Sequence, residues 1–505
     1  LKEIIDMAVT FEELMISSGV SDADEIPWST VVKLPEGFVP FPHQLAGTNL
    51  LCRHERAALY DQTGTGKTVS LQAYALYRAG EGHKVIGLMP PVLLTQFYES
   101  LHDTFLGIKH YVKVRILKGP PAKRKAMFDQ WSKEGYPDIL LMTYDLFRGS
   151  GSNRGYALEL KKLGYNVIIA DEAQALRNSS SGIHKKVYNF VGGKKDDQGK
   201  FGLVLSTGTP SHTHLEQNYG LIRLVTPKAY GSKSEYERLH VIRNEGSPFR
   251  EIVDYDNYDI MTMNLYARAR RVEKKDVAKD LPDKLHTVIP VTLEPAHMKL
   301  YKQLLDERII MLEDRMIDAL QDNALRQAAL RLVTDPSQFS DTKIDNAMEK
   351  ALVELIGTVD TERTKVIVFI HFNDTADRLV ELLKEYDPAI ANGQVNNKDA
   401  QIKKFLTDKS CRVLIAHPKS AGAGLNLQSV CSDVIFYECP DSPGDLVQAE
   451  DRVHRISGTE ATVNVYFLSP QNTWAAKKIS QVQTKDNIIN RVVGDKKSLL
   501  HDLFA

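Results

Sequence analysis

Three stretches of this sequence carry residue types that suit phosphoryl chemistry. The first is LYDQTGTGKTVS, residues 59–70. A phosphate-binding loop works because backbone N–H groups and a helix N-terminus point at the anion, while a lysine reaches the terminal phosphates and a Ser/Thr hydroxyl ligates Mg2+. Thr63, Gly64, Thr65, Gly66, Lys67 and Thr68 supply that part intact, but Asp61 stands where the usual pattern opens with glycine. The second stretch is NVIIADEAQALRN, an apolar run ending in Asp171 and Glu172. At the carboxyl end of a strand, Asp171 would hold the metal and Glu172 would polarise an attacking water. An acid pair also caps helices, and the preceding phosphate loop is what favours the catalytic reading. The third, DLVQAEDRVHRISG, spaces Gln448, Arg452 and Arg455 at i, i+4 and i+7, which puts them on one face of a helix. Two arginines aimed one way form either a solvated, salt-bridged surface or a pair of fingers for developing phosphoryl charge.

The elements that must position these residues alternate between strands and helices. Apolar runs rich in β-branched residues predict strands at 84–90, 138–144, 166–170 and 201–207, and again at 286–293, 365–371, 411–417, 432–438 and 461–468. Continuous apolar strands separated by helices imply parallel sheets covered on both faces, so two series imply two α/β lobes. Between them, residues 300–333 show helical periodicity up to Asp335-Pro336, which predicts a long helical excursion. A length of 505 residues is too great for one core. The net charge of −1 excludes a uniformly basic surface, so nucleic-acid binding would rely on local patches and backbone groups. Cys52, Cys411, Cys431 and Cys439 include no Cys-x-x-Cys pair, which argues against a zinc site or a disulfide framework and fits a reducing compartment. The longest apolar run is broken by Pro90 and Pro91 and is too short to span a bilayer. No signal peptide is visible, and these features predict a soluble, intracellular protein.

Taken in order, the motifs resemble those of the Snf-two (SWI/SNF) branch of superfamily-two helicase-like ATPases, over most of residues 36–505. FPHQLAGTNLL resembles the family's adenine-reading segment, with Gln44 as the reader. LYDQTGTGKT resembles the branch's phosphate loop, which carries an acid where Asp61 stands. DEAQALRN resembles its Asp-Glu box, which usually ends in His where this chain has Gln174. LSTGTPSHTHLEQNYGLIRLVTP, RARRVEKKDVAKDLPDK, IAHPKSAGAGLNLQ and LVQAEDRVHRISGT resemble the later motor motifs and the lobe-joining stretch. The resemblance implies two tandem RecA-like lobes, an α/β architecture with helical insertions. The expected layout is a leader at 1–35, lobe one at 36–275 with an insertion about 215–275, and lobe two at 276–505 with an insertion about 297–345.

The resemblance further implies ATP and Mg2+ as cofactors. Gln44, Thr63 to Thr68, Gln174, Gly424 and Gln448 would hold the nucleotide, and Thr68 and Asp171 the metal. Lys67, Asp171, Glu172, Arg452 and Arg455 would do the chemistry. Nucleic acid, preferentially double-stranded DNA, would meet Pro90, Thr95, Gln96, Thr143, Tyr144, Thr207, Gly208 and Thr209 in lobe one. In lobe two it would meet His371, Phe372, Lys419, Ser420, Ala421, Gly422 and Asn426. Basic clusters at 122–128 and 268–275 are further candidates for phosphate contact, although a charge run is more often a solvated face. His212 and His214 have no third ligand nearby, and Trp131 and Trp474 read as packing residues. The leading expectation is an ATP-driven duplex-DNA translocase, a monomer located in cytoplasm or nucleoid, or in host cytoplasm if viral. A strand-separating or branch-migrating helicase, and a motor subunit serving a nuclease or polymerase partner, stand as alternatives. RNA as the track stays open, because phosphate recognition alone does not separate RNA from DNA.

Overall fold

In the computed structural model the described residues are 39–104, 112–149, 155–194, 201–244, 252–277, 284–312, 316–359, 364–395, 397–418, 427–454 and 462–493. The leader at 1–35, Lys419 to Asn426 and Arg455 lie outside them. The chain divides into two units, residues 1–279 with 488–505, and residues 280–487.

The first unit is built on a seven-stranded sheet: β1 (Arg56–Leu59), β2 (Lys84–Leu88), β3 (Val114–Ile116), β4 (Ile139–Met142), β5 (Tyr165–Asp171), β6 (Gly202–Ser206) and β7 (Ala269–Arg270). Their order is β3-β4-β2-β5-β6-β1-β7, with every neighbouring pair parallel. Both faces are covered, which is why β1, β4 and β6 are buried at every residue and show no alternation. One core carries Ile86, Leu140, Ile168 and Leu205; the other carries Leu59, Val85, Leu141 and Val204. Trp131 packs in the former, together with Ile489 and Val492 from the end of the chain's last helix.

The second unit holds a six-stranded sheet of β8 (Lys284–Val291), β9 (Lys365–Phe369), β10 (Ala389–Ala391), β11 (Val413–Ala416), β12 (Cys431–Phe436) and β13 (Val463–Pro470). Their order is β8-β13-β12-β9-β11-β10, again wholly parallel. Each unit is thus a RecA-like lobe, a parallel sheet between helical layers.

The long helix expected at 300–333 is two helices. Pro295–Glu307 ends where Arg308 turns left-handed, at φ 58°, and donates its N–H to the Leu304 carbonyl. An antiparallel ribbon of Ile309–Met311 and Met316–Asp318 follows before the helix Asp322–Thr334. The β-branched Ile309 and Ile310 prefer extended backbone, and this local preference overrides the helical spacing around it. Among the described residues all four cysteines are free, and no helix is long and apolar enough to cross a membrane.

Candidate nucleotide site and the family it defines

The carboxyl ends of the adjacent strands β5, β6 and β1 bring the predicted chemistry together, as open parallel sheets do at their ligand crevices. After β1 the chain enters the phosphate loop, and the helix Lys67–Gly80 starts directly from it. Gly66 caps that helix at φ 82°, in the left-handed region that a side chain resists, and an added Cβ would run into the Gln44 amide. Lys67 Nζ donates to the carbonyls of Asp61 at 2.7 Å and Gln62 at 3.0 Å.

Gln44 lies on the helix Pro42–Arg53, 6 % exposed. Its Oε1 accepts from Phe41 N at 2.9 Å and its Nε2 donates to Gly66 O at 3.3 Å. His43 Nε2 bonds Thr65 O at 2.7 Å, so two successive side chains of one helix grip the loop from the same side.

Asp171 closes β5. Its Oδ1 accepts from Ser206 Oγ at 2.9 Å and from Glu172 N at 3.1 Å. Burial pushes the Asp171 carboxyl up to about 6, and the neighbouring Glu172 adds to this; Lys67, Ser206 and the Glu172 N–H pull the other way without winning. Glu172 is held left-handed at φ 54°, a conformation that costs an L-residue on the order of 1–3 kcal/mol. Its Oε2 accepts from Gln174 Nε2 at 2.7 Å, and Gln174 Oε1 accepts from Thr207 Oγ1 at 2.8 Å. Thr209 N then donates to Thr207 Oγ1 at 3.1 Å. The residue that departs from the family's usual box therefore joins Glu172 to the Thr-Gly-Thr segment.

Other predicted contacts fall differently. Thr95 and Gln96 are exposed on the helix Pro91–Thr104, and Pro90 is half-buried just ahead of it. Thr143 caps the helix Tyr144–Arg148 by accepting from Leu146 N, and the Tyr144 hydroxyl donates to Asp171 O at 2.7 Å. Burial and the two nearby acids hold the Tyr144 phenol well above its ordinary value, so it stays a donor. Thr207 and Thr209 are buried, with Gly208 half-buried between them. Tyr144 directly, and Thr207 through Gln174, brace the acid pair from within.

In the second lobe, the backbone N–H groups of His371 and Phe372 both donate to Glu438 Oε2, at 2.6 and 2.8 Å. The Phe372 ring is 7 % exposed, with Arg331 4.6 Å from its centroid. The helix carrying Gln448 begins at a Ser442 cap with Pro443 at its first position, and it ends at Glu450. The expected common face of Gln448, Arg452 and Arg455 runs past this end, and Arg455 lies outside the described residues. Arg452 N bonds Ala449 O at 3.2 Å and Val453 N bonds Glu450 O at 3.0 Å, while His454 N keeps a four-residue bond to Glu450 O at 3.0 Å; Arg452 is 5 % exposed. Just ahead of that turn, Glu450 accepts from Lys284 Nζ and bonds His286 Nε2, both at 3.0 Å.

The sequence reading missed Ser206, His43 and Arg270. Ser206 immediately precedes the Thr-Gly-Thr segment, and its place at a strand's carboxyl end was a usable signal. Arg270 bonds Asp61 across 209 positions of sequence, and no local pattern announces that. In the basic cluster at 268–275, Arg270 and Lys274 are buried, and Arg271 donates to the carbonyls of Tyr60 and Gly208. Most of that cluster serves the fold rather than a surface.

A profile of the SNF2-related domain matches residues 43–339, and one of the helicase conserved C-terminal domain matches residues 347–457. The chain belongs to the SNF2-related family. It is a member of the SNF2 branch of superfamily two, the helicase-like ATPases. It is similar to an uncharacterized ATP-dependent helicase of Mycoplasma pneumoniae, 26 % identical over 86 % of this chain and 40 % of that protein. An uncharacterized ATP-dependent helicase of Bacillus subtilis is 23 % identical, over 92 % of this chain and 81 % of that protein. The protein CHROMATIN REMODELING 4 of Arabidopsis thaliana is 24 % identical over 90 % of this chain but only 21 % of its own length. The chain thus spans less than half the length of several curated relatives that it matches. Among solved structures, the Sulfolobus solfataricus SWI2/SNF2 ATPase core in complex with dsDNA aligns at 20 % identity and a TM-score of 0.38, over 92 % of this chain and 95 % of that one.

Proposed function

We propose that this SNF2-related chain hydrolyses ATP to move along double-stranded DNA. The observation that carries the reading is the convergence of Lys67, after β1, with Asp171 and Glu172 at the end of β5, Gln174 joining Glu172 to Thr207 after the intervening β6. Lys67 would transfer its ammonium from the loop carbonyls to the terminal phosphates, and Gln44 would contact the adenine. The residues suit Mg2+, because a buried carboxyl pushed up to about 6 beside a second acid is only partly compensated by Lys67. Thr68 and Asp171 would hold the ion, which would supply positive charge against the phosphates.

Glu172 would orient the attacking water, its carboxylate aimed by Gln174. Arg452 and Arg455 would stabilise the developing phosphoryl charge, a contribution of about 10³–10⁵ in rate for such arginines. Duplex DNA as the track draws on the family likeness. Backbone-directed contacts from exposed groups such as Thr95 and Gln96 would suit a motor indifferent to sequence.

The test is ATP turnover by the purified chain, alone and with duplex DNA, single-stranded DNA or single-stranded RNA, with Glu172→Gln as the control. Stimulation by duplex above the others, lost in the variant, is the expected result. Equal or greater stimulation by single strands would replace translocation with strand separation.

A further inference from the structure

Asp61, the acid that replaces the opening glycine of the phosphate loop, forms a buried ion pair with Arg270: Oδ2 to Nη2 is 2.7 Å, and the two side chains are 2 % and 7 % exposed. The pair belongs to a longer seam. β1 and β7 run parallel with Leu59 opposite Arg270, and the pairing continues beyond the strand: Tyr60 N donates to Arg270 O at 2.8 Å and Gln62 N to Val272 O at 2.9 Å. Lys274 N returns a bond to Gln62 Oε1 at 3.0 Å, and Arg271 Nη1 reaches Tyr60 O at 3.0 Å. The leading half of the phosphate loop is therefore laid down along residues 270–274.

The guanidinium has no room to relax. A Cβ on Gly47 would lie 2.8 Å from Arg270 Nη2, so the helix Pro42–Arg53 closes directly over it. Among the described residues Asp61 Oδ1 and Arg270 Nε make no hydrogen bond, so the two groups meet through a single contact. The backbone carbonyl of the same Asp61 holds Lys67 Nζ at 2.7 Å. Arg270 thus fixes the residue that fixes the phosphate-reaching lysine. The segment that carries Arg270 also leads to the second unit, which begins at Asp280.

We propose that Arg270 is a positioning residue for the nucleotide site: through Asp61 it sets the shape of the phosphate loop, and so makes ATP affinity depend on where residues 268–274 lie. This rests on the nucleotide reading above. A buried ion pair kept only for stability is replaceable by a well-packed apolar pair. A positioning pair is not, because the loop's geometry goes with it.

The experiment measures the affinity of a fluorescent ATP analogue, KM and kcat for ATP, and urea unfolding. It compares the full chain with Asp61→Ala, Arg270→Ala, both together, Arg270→Lys, the volume-matched Asp61→Leu/Arg270→Met pair, and Lys67→Ala. The expected result is that Asp61→Leu/Arg270→Met stays folded yet binds the analogue about tenfold more weakly, with KM rising more than kcat falls. The double alanine variant should lose no more than Arg270→Ala alone, and Arg270→Lys should recover part of the loss. Wild-type affinity in Asp61→Leu/Arg270→Met, with binding lost in Lys67→Ala, would overturn the positioning role and leave the nucleotide reading standing. Unchanged binding in Lys67→Ala would instead overturn the nucleotide reading and the inference with it.

Discussion

Asp171–Glu172 and Glu450–Asp451 are both adjacent acid pairs turned into a lobe, and their leading members titrate in opposite directions. Burial and Glu172 push Asp171 up to about 6, with only Lys67 as a nearby cation. Burial pushes Glu450 up as well, but Lys284 and His286 outweigh it and hold the carboxyl below the usual range. Burial alone would lower the Lys284 ammonium, yet Glu450 and Asp451 hold it well above its ordinary value. The second pair is already neutralised by the fold, so it is structure. In the first, Lys67 offsets only part of what burial and Glu172 impose. Two acids in sequence therefore say little until their cations are located.

The sharpest way to break this comparison is to remove one acid from each pair. Glu172→Gln should lower ATP turnover about 10²–10⁴-fold while leaving the unfolding midpoint nearly unchanged. Glu450→Ala should do the reverse. It leaves the half-buried Lys284 with Asp451 alone, which costs about 1–3 kcal/mol, read as faster hydrogen exchange across β8, β12 and β13. A stable Glu450→Ala protein would erase the contrast.

The pH dependence sharpens it further. Glu450 has a lowered folded pKa, so its stabilisation is complete above about 4.5 and is lost as pH falls through the lower folded value. Acid unfolding of the second lobe should therefore become shallower in Glu450→Gln, as followed by hydrogen exchange at several pH values. Asp171 behaves oppositely. Its folded pKa is raised, so the native state holds the extra proton between about 4 and 6 and stability declines as pH rises through that window. Asp171→Asn should accordingly stabilise the first lobe by about 1–2 kcal/mol at pH 8, shrinking below pH 6, in urea titrations of the nucleotide-free protein with EDTA.

The smallest effect belongs to the basic cluster at 122–128. Arg124 is buried there, bonded to Tyr156 and Gly119, whereas Lys123 and Lys125 are exposed. Replacing both lysines by alanine should move stability by less than about 0.5 kcal/mol. Any change should be confined to nucleic-acid stimulation of turnover and its salt dependence.

Most of the architecture was legible because fully buried parallel strands read as apolar runs, and each predicted run contains or overlaps an observed strand. What escaped was short or alanine-rich. RAAL of β1 lacks the β-branched signature, and β3, β7 and β10 have two or three residues each. The helix through Gln448 ends at Glu450 beside an ion cluster assembled from β8, more than 160 residues earlier, which no local pattern announces. In the site, Lys67, Asp171 and Glu172 were readable because their motifs are local. The reason for Asp61 was not, since its explanation, Arg270, is joined to it only by the fold.

Gln174 carries one more consequence. The family's box usually closes on a histidine, whose imidazole changes charge near pH 6.5. An amide has no proton to gain or lose across that range. Its N–H faces Glu172 and its carbonyl oxygen accepts from Thr207, two fixed polarities in one planar group. The connector between Glu172 and the Thr-Gly-Thr segment therefore brings no titrating proton of its own, where an imidazole would.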